Sequence, residues 1–216
     1  MFFDIAKYIL LGAQITIAVI LIALPIGFLL GLSFSLLRVY GGRWISTIIA
    51  SYSTIMRGIP PVVMLFVLYF VIAGTINISP LWAGAISLAI ISSAYQLEIF
   101  RGALQSISGG QMMAAHAIGM HKRQAILHII LPQALRVAIP SWSNEVAIII
   151  KDSSLVYALG VPEILRRAQF MSASTYQPFM AYGIAALFYF IMVFLAGRLL
   201  DLVEKRVSIP GAVMER

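Results

Sequence analysis

Long uncharged apolar runs alternate along this chain with short segments that hold most of the charge. The first run, Tyr8 to Leu37, has no ionised side chain. At a helical rise of about 1.5 Å per residue it is long enough to cross a hydrocarbon layer of about 30 Å. Arg38, Gly41, Gly42 and Arg43 close it with a charged turn. A second run, Trp44 to Ala73, is interrupted by Arg57-Gly58-Ile59-Pro60-Pro61. There the paired prolines remove backbone donors and predict a kink or break, with an amphipathic or interfacial stretch before it and Arg57 snorkelling to the boundary. Gly74–Pro80 reads as a short external loop, with Trp82 at the interface. The third run, Leu81 to Phe100, ends at Arg101. A fourth, Leu135 to Ile150, is short and polar, carrying Asn144 and Glu145 into Lys151-Asp152-Ser153-Ser154. Phe179 to Gly197 forms the fifth.

Two connections have a pattern of their own. In residues 102–130, Gly109 and Gly110 are read as a break, after which small and apolar residues alternate with His116, His121, Lys122, Arg123, Gln124 and His128. This is expected to be a helical loop in the cytoplasm. Val161–Tyr176, with Glu163, Arg166, Arg167 and Gln169, reads as an external amphipathic helix and turn. The pattern predicts an all-α integral membrane protein of five transmembrane helices, a single domain over 1–216, with its amino terminus outside and its carboxyl terminus in the cytoplasm. That orientation puts Arg38, Arg43, Arg57, Arg101, Lys122, Arg123, Arg198, Lys205, Arg206 and Arg216 at or near the cytoplasm and Lys7, Arg166 and Arg167 outside, as the positive-inside rule requires.

Composition narrows the class. Hydrophobic residues make up 61% and charged residues 11%, with a mean hydropathy of +0.97, far from the roughly 25% charged residues of soluble domains. The net charge of +7 falls between apolar runs with no basic run longer than two residues, so it reads as membrane orientation and not as nucleic-acid binding. The opening run is too long for a secretory signal and lacks a small-residue cleavage pattern. Without cysteine there is no disulfide, thiolate nucleophile or iron–sulfur cluster.

A glycine-rich phosphate loop followed by lysine and a hydroxyl residue is missing from the sequence, so ATP hydrolysis is not expected of this chain. His116, His121 and His128 have no nearby carboxylate or cysteine in sequence and read as exposed or interfacial side chains rather than metal ligands. No nucleophile, histidine and carboxylate arrangement is visible. The ionisable groups inside apolar runs carry the information. A charge near the bilayer centre costs at least about 2.5–3.5 kcal/mol, so it faces protein interior or a water-filled path. Glu98 and Glu145 are therefore singled out, Glu98 with a competing role as a partner of Arg101 one turn on. Ser92, Ser93, Tyr95, Asn144 and Lys151 complete a candidate substrate site, in which a carboxylate takes an ammonium group and Lys151 or a helix end takes a carboxylate. Serine in such helices equally serves as interhelical glue.

The stretch from Gly110 through Met113-Ala114-Ala115-His116-Ala117-Ile118-Gly119, continuing to Leu131-Pro132, resembles the loop signature of bacterial binding-protein-dependent ABC permeases. Ala114, Ala115, Gly119, Leu131 and Pro132 match it, whereas Met113 stands where the family has glutamate, which removes a carboxylate contact and leaves the small-residue surface and glycine turn. Arg57-Gly58-Ile59-Pro60, Ser93-Ala94-Tyr95 through Glu98 to Arg101-Gly102, and Trp142-Ser143-Asn144-Glu145 through Lys151-Asp152-Ser153-Ser154-Leu155 resemble the polar-amino-acid branch, of histidine, glutamine and arginine permease type.

The resemblance implies a type I ABC importer permease in a bacterial inner membrane. Its loop would dock on a cytoplasmic ATPase dimer through Ala114, Ala115 and Gly119, with His121, Lys122 and Arg123 at the rim. It implies as well an extracytoplasmic amino-acid-binding protein, a second identical or similar permease chain, surrounding lipid, and ATP and Mg on the ATPase alone. Transport by alternating access would bend at Pro25, Pro60, Pro61 and Pro140. Two rival readings are an ion-coupled secondary carrier using the intramembrane carboxylates and a structural partner subunit without a substrate site. Two carboxylates lean towards a cationic amino acid.

Overall fold

The computed structural model describes residues 2–75 and 77–207, and Arg216 lies outside them. Among the described residues every regular element is helical. They are α1 Phe2–Leu10, α2 Ala13–Tyr40, α3 Arg43–Gly58, α4 Pro61–Thr75, α5 Pro80–Ser106, α6 Gly109–Ala117, α7 Lys122–Ala125, α8 Leu131–Asp152, α9 Ile164–Thr175 and α10 Pro178–Val207. A π turn, Ile126–Ile130, joins α7 to α8, and a 3-10 turn, Ser153–Leu159, follows α8. Pro61, Pro80 and Pro178 each open a helix, where the missing N–H costs nothing.

Among the described residues four continuous stretches are long and apolar enough to cross a membrane: Phe2–Tyr40, Pro80–Ser106, Lys122–Leu159 and Pro178–Val207. The α3–α4 pair supplies a fifth as a broken span, bent by 115° at Ile59–Pro60. The expected break at the paired prolines is thus a near-right-angle turn, and Trp44 to Ala73 is not one straight crossing.

Other boundaries shift for local reasons. The first helical stretch starts at Phe2, ahead of Tyr8, and has a turn at Leu11–Gly12. The third crossing does not stop at Arg101, because α5 runs on through Gly102 to Ser106. Gly109 and Gly110 lie inside the first turn of α6, and the chain breaks at Ile107 and Ser108, whose hydroxyl accepts the Gly110 N–H at 3.3 Å. The fourth crossing is no short helix at Leu135–Ile150 but the middle of one continuous stretch from Lys122. Its π turn immediately precedes Pro132, whose ring would otherwise press on the carbonyl one turn back. The helices pass through Pro25 and Pro140 uninterrupted.

Three cores hold the bundle. Val19 and Ala23 of α2, Met64 and Leu65 of α4, Leu88 and Ala89 of α5 and Val156 form the first. Ile5 and Ile9 of α1, Ile164 and Ala168 of α9 and Ile184 of α10 form the second. The third joins Phe100 and Leu104 of α5 to Ile130 and Ala134. α2 lies closest on α5 through Ala23, Gly27, Gly31 and Ser35, small buried residues one helical turn apart. A Cβ on Gly31 would stand 2.8 Å from Gln96 Cβ and 3.0 Å from the Ser93 carbonyl oxygen, so the two backbones meet where only glycine fits.

Candidate functional site

A closed cleft between α5 and α8 is lined by Leu88, Ile91, Ser92 and Tyr95 from one side and Glu145, Ile148, Ile149 and Asp152 from the other. Helical spacing explains the selection. Ile148, Ile149 and Asp152 follow Glu145 by three, four and seven residues and share its face, Asp152 lying only about 20° around the helix from it. Glu145 is almost wholly buried, and its Oε1 accepts the Ser92 hydroxyl at 2.7 Å. Gln96 Nε2 donates to Ser92 Oγ at 3.1 Å, and Trp142 Nε1 donates to Gln96 Oε1 at 2.8 Å. This chain of bonds holds the Glu145 carboxyl towards the cleft. The space there is about 20 Å3, room for about one water molecule. No amino acid fits this cleft while α5 and α8 stay this close.

The remaining candidates of the substrate site lie elsewhere. Asn144 and Lys151 are exposed and do not line the cleft; Lys151, six residues after Glu145, is turned about 120° away from it. Ser93 faces α3, where its hydroxyl shares a 2.6 Å hydrogen bond with Tyr52. Glu98 also faces away from the cleft. It bonds Arg38 of α2, accepts the Ser53 hydroxyl at 2.6 Å and Arg101 Nε at 2.8 Å, and lies 3.5 Å from Arg57 Nη2. The pairing with Arg101 one turn on is present, joined by two arginines from other helices. Asp152, not among the site residues singled out from the sequence, is the second carboxylate of the cleft. Its seven-residue spacing from Glu145 was the available signal.

At one end of the bundle α6 and α7 form a helical loop. Lys122 Nζ reaches the Tyr40 carbonyl at 3.4 Å and sits over the Tyr40 ring, placing this loop at the same end as the last turn of α2. Gly119 turns the chain in a left-handed conformation, φ +85°, its N–H donating to the His116 carbonyl at 3.0 Å. Ala114, His121, Lys122 and Arg123 are exposed, but Ala115 is only 1% exposed, packed inward. Met113 and Ile118 are 69% and 76% exposed, a pair of large apolar side chains outside the sequence-derived set. Among the described residues no three His, Asp or Glu side chains are grouped to hold a metal ion.

The helical membrane bundle thus encloses a small closed cleft faced by two carboxyl groups, with a helical loop at one end. The chain belongs to the binding-protein-dependent transport system inner membrane component family, whose model matches residues 23–209. It is 34% identical over 206 residues to the histidine/lysine/arginine/ornithine transport system permease protein HisM of Escherichia coli (strain K12), covering 90% of this chain and 87% of that one. It is 33% identical over 210 residues, 96% of either chain, to GlnP of Rickettsia typhi (strain ATCC VR-144 / Wilmington), named for a glutamine transport system permease protein. Among solved structures, that of an amino acid ABC transporter with histidines matches with a TM-score of 0.83 at 33% identity, covering 95% of this chain and 98% of its own. The five-span, type I permease reading of the sequence agrees with these findings.

Proposed function

We propose that this permease passes a cationic amino acid through the α5–α8 cleft, and the observation that carries the proposal is the convergence of Glu145 and Asp152 on that cleft. Two carboxyl groups facing one small, largely apolar space are costly to desolvate, and a ligand with a positive side chain as well as an ammonium group offsets that cost. Tyr95 and Ser92 add hydrogen-bonding groups at the same wall. HisM carries histidine, lysine, arginine and ornithine in its name, which favours this substrate class, and GlnP supports glutamine as the second reading.

In this reading the whole chain works as one transmembrane domain of a bacterial inner membrane, amino terminus outside and carboxyl terminus in the cytoplasm. A second permease chain, identical or similar, completes the pathway, and an external binding protein delivers the amino acid. α6 docks on a cytoplasmic ATPase dimer that takes up ATP and Mg2+ and does the hydrolysis. Ala114, Met113 and Ile118 offer the contact face, His121, Lys122 and Arg123 the charged rim, and Ala115 and Gly119 shape the turn. Glu98 ties α2, α3 and α5 together and does not touch the substrate.

The test is uptake of labelled arginine and glutamine into vesicles holding this chain, its ATPase and its binding protein, with intact protein and Gly119→Asp. Arginine uptake that needs ATP, exceeds glutamine uptake and vanishes in Gly119→Asp is expected. Uptake driven by an ion gradient without the ATPase would overturn the coupling, and glutamine uptake exceeding arginine would overturn the substrate class alone.

A further inference from the structure

The cluster around Glu98 is unbalanced. Among the described residues Arg38, Arg57 and Arg101, from α2, α3 and α5, have Glu98 as their shared carboxylate partner, so three guanidinium groups stand against one negative charge. Arg57 is the least engaged, 3.5 Å from the carboxylate with 39% of its side chain exposed. Space is available beside it: a Cβ added at Gly58, next to Arg57, or at Gly102, next to Arg101, would meet no atom within 4 Å.

The position of α3 says what fills that space. A helix folded back along α2 would carry Ser53 several turns away from the hairpin at Gly41 and Gly42. Instead Ser53 bonds Glu98, which also bonds Arg38 in the last turn of α2. α3 thus runs obliquely over the flank of α2 and α5, its Tyr52 hydroxyl donating to the Ile90 carbonyl at 2.8 Å and its ring packed on Phe34, on the half of the bundle that carries α6. Its inner side buries Ile49 and Ser53, and its outer side exposes Trp44, Ile45, Ile48 and Ile55. An apolar outer face with arginines at either end of the helix, Arg43 and Arg57, suits a helix lying in the headgroup region of a bilayer.

We infer that Arg57, Arg101 and Arg38 bind the phosphate of an anionic phospholipid headgroup, whose acyl chains lie in the hydrocarbon beside α3. A phosphate diester matches the forked donors of arginine and neutralises a surplus positive charge at the edge of the hydrocarbon. The lipid would brace α3 against α2 and α5 just before the 115° bend into α4. This inference is independent of which amino acid is carried.

The experiment uses the full chain purified in a neutral detergent, titrated with phosphatidylglycerol, phosphatidylcholine or inorganic phosphate, with retained lipid read by native mass spectrometry and the melting temperature followed in parallel. Phosphatidylglycerol should be retained and raise the melting temperature, and phosphatidylcholine should do neither. Arg57→Gln should weaken phosphatidylglycerol retention about fivefold, the worth of one cation near an anionic surface. Arg57→Lys should keep the headgroup preference, and Arg136→Gln, an exposed arginine of α8 outside the cluster, should leave retention unchanged. Equal retention of both lipids, an equal loss in Arg136→Gln, or an equal melting shift with inorganic phosphate alone would overturn the lipid site. If Arg57→Gln does not fold, Arg101→Gln against Arg136→Gln gives the same comparison.

Discussion

Ser92 of α5 donates its hydroxyl proton to Glu145 of α8 over 2.7 Å, and through Gln96 the same line of hydrogen bonds reaches Trp142. This polar seam closes the cleft that the proposed substrate has to open, so its members govern both the shut state and the opened one. Glu145→Gln and Asp152→Asn each remove a negative charge from the wall while keeping side-chain size. Each is expected to raise the KM for arginine uptake at least about tenfold, or about 1.4 kcal/mol, and to change glutamine uptake far less. Competition uptake in reconstituted vesicles reads the ratio, and an equal loss for both amino acids would mean that the carboxyls support structure and not selectivity.

The contact of α2 with α5 makes a separate prediction. Gly31→Val puts methyl groups against Gln96 Cβ and the Ser93 carbonyl, where even one added carbon falls at 2.8 to 3.0 Å. A loss of stability of about 1–3 kcal/mol is expected from such overpacking. Gly183→Ala on α10, whose added Cβ meets nothing within 4 Å, is the control. Thermal unfolding of both variants in detergent should separate them clearly.

Ile118 stands 76% exposed next to Gly119 in the α6 turn. Ile118→Asp leaves the fold of the chain unchanged, since nothing inside the bundle depends on that side chain being covered. It should nevertheless weaken co-purification of the ATPase by roughly a hundredfold, as expected for a charge placed at a desolvated apolar contact. Retained ATPase with normal stimulation would move the docking face away from this turn.

At the other end of the bundle Glu163 is fully buried at the start of α9. It accepts the backbone N–H groups of Leu165 and Arg166 at 2.8 and 2.6 Å and the Tyr189 hydroxyl at 2.5 Å. Burial raises its pKa above the ordinary carboxylate value in spite of these donors. A carboxyl whose pKa is raised on folding contributes stability in full below the ordinary value of about 4.3 and loses it as pH rises through the folded value. The melting temperature should therefore fall as pH is raised from about 4, and Glu163→Gln should flatten that fall. A wild-type profile that rises over the same range would show other groups in control.

Much of this was readable before the fold was known. The apolar runs could only become membrane helices, because hydrocarbon leaves no other partner for their backbone groups. Pro60 and Pro61 had to interrupt one of them, and the small residues around Gly119 resembled a docking turn. Helix ends were harder: nothing local stops α5 at Arg101, and Gly102 is tolerated in a helix that packs elsewhere. The long stretch from Lys122 through α8 was hidden because Gln124, His128 and Gln133 look like loop residues until their side chains are seen bonding within it, as Gln124 does to the His121 N–H, His128 to the Gln124 carbonyl and Gln133 to the Ile129 carbonyl.

The candidate site divides the same way. Sequence alone determined that Glu145 and Glu98 needed partners, since a carboxylate in an apolar run is too costly to leave alone. It determined as well that residues at three-, four- and seven-residue spacings share a helical face. Which carboxylate met which partner was decided only by tertiary structure. Gly27 and Gly31 let α2 approach α5 closely enough to set Gln96 in the seam, and α3, running over the flank of α2 and α5 before the 115° bend, brings Ser53 and Arg57 to Glu98. Glu98 became the centre of an arginine cluster, and Ser92 of α5 became the partner of Glu145, because helix rotation and close backbone approach fix side-chain company in ways that no single segment encodes.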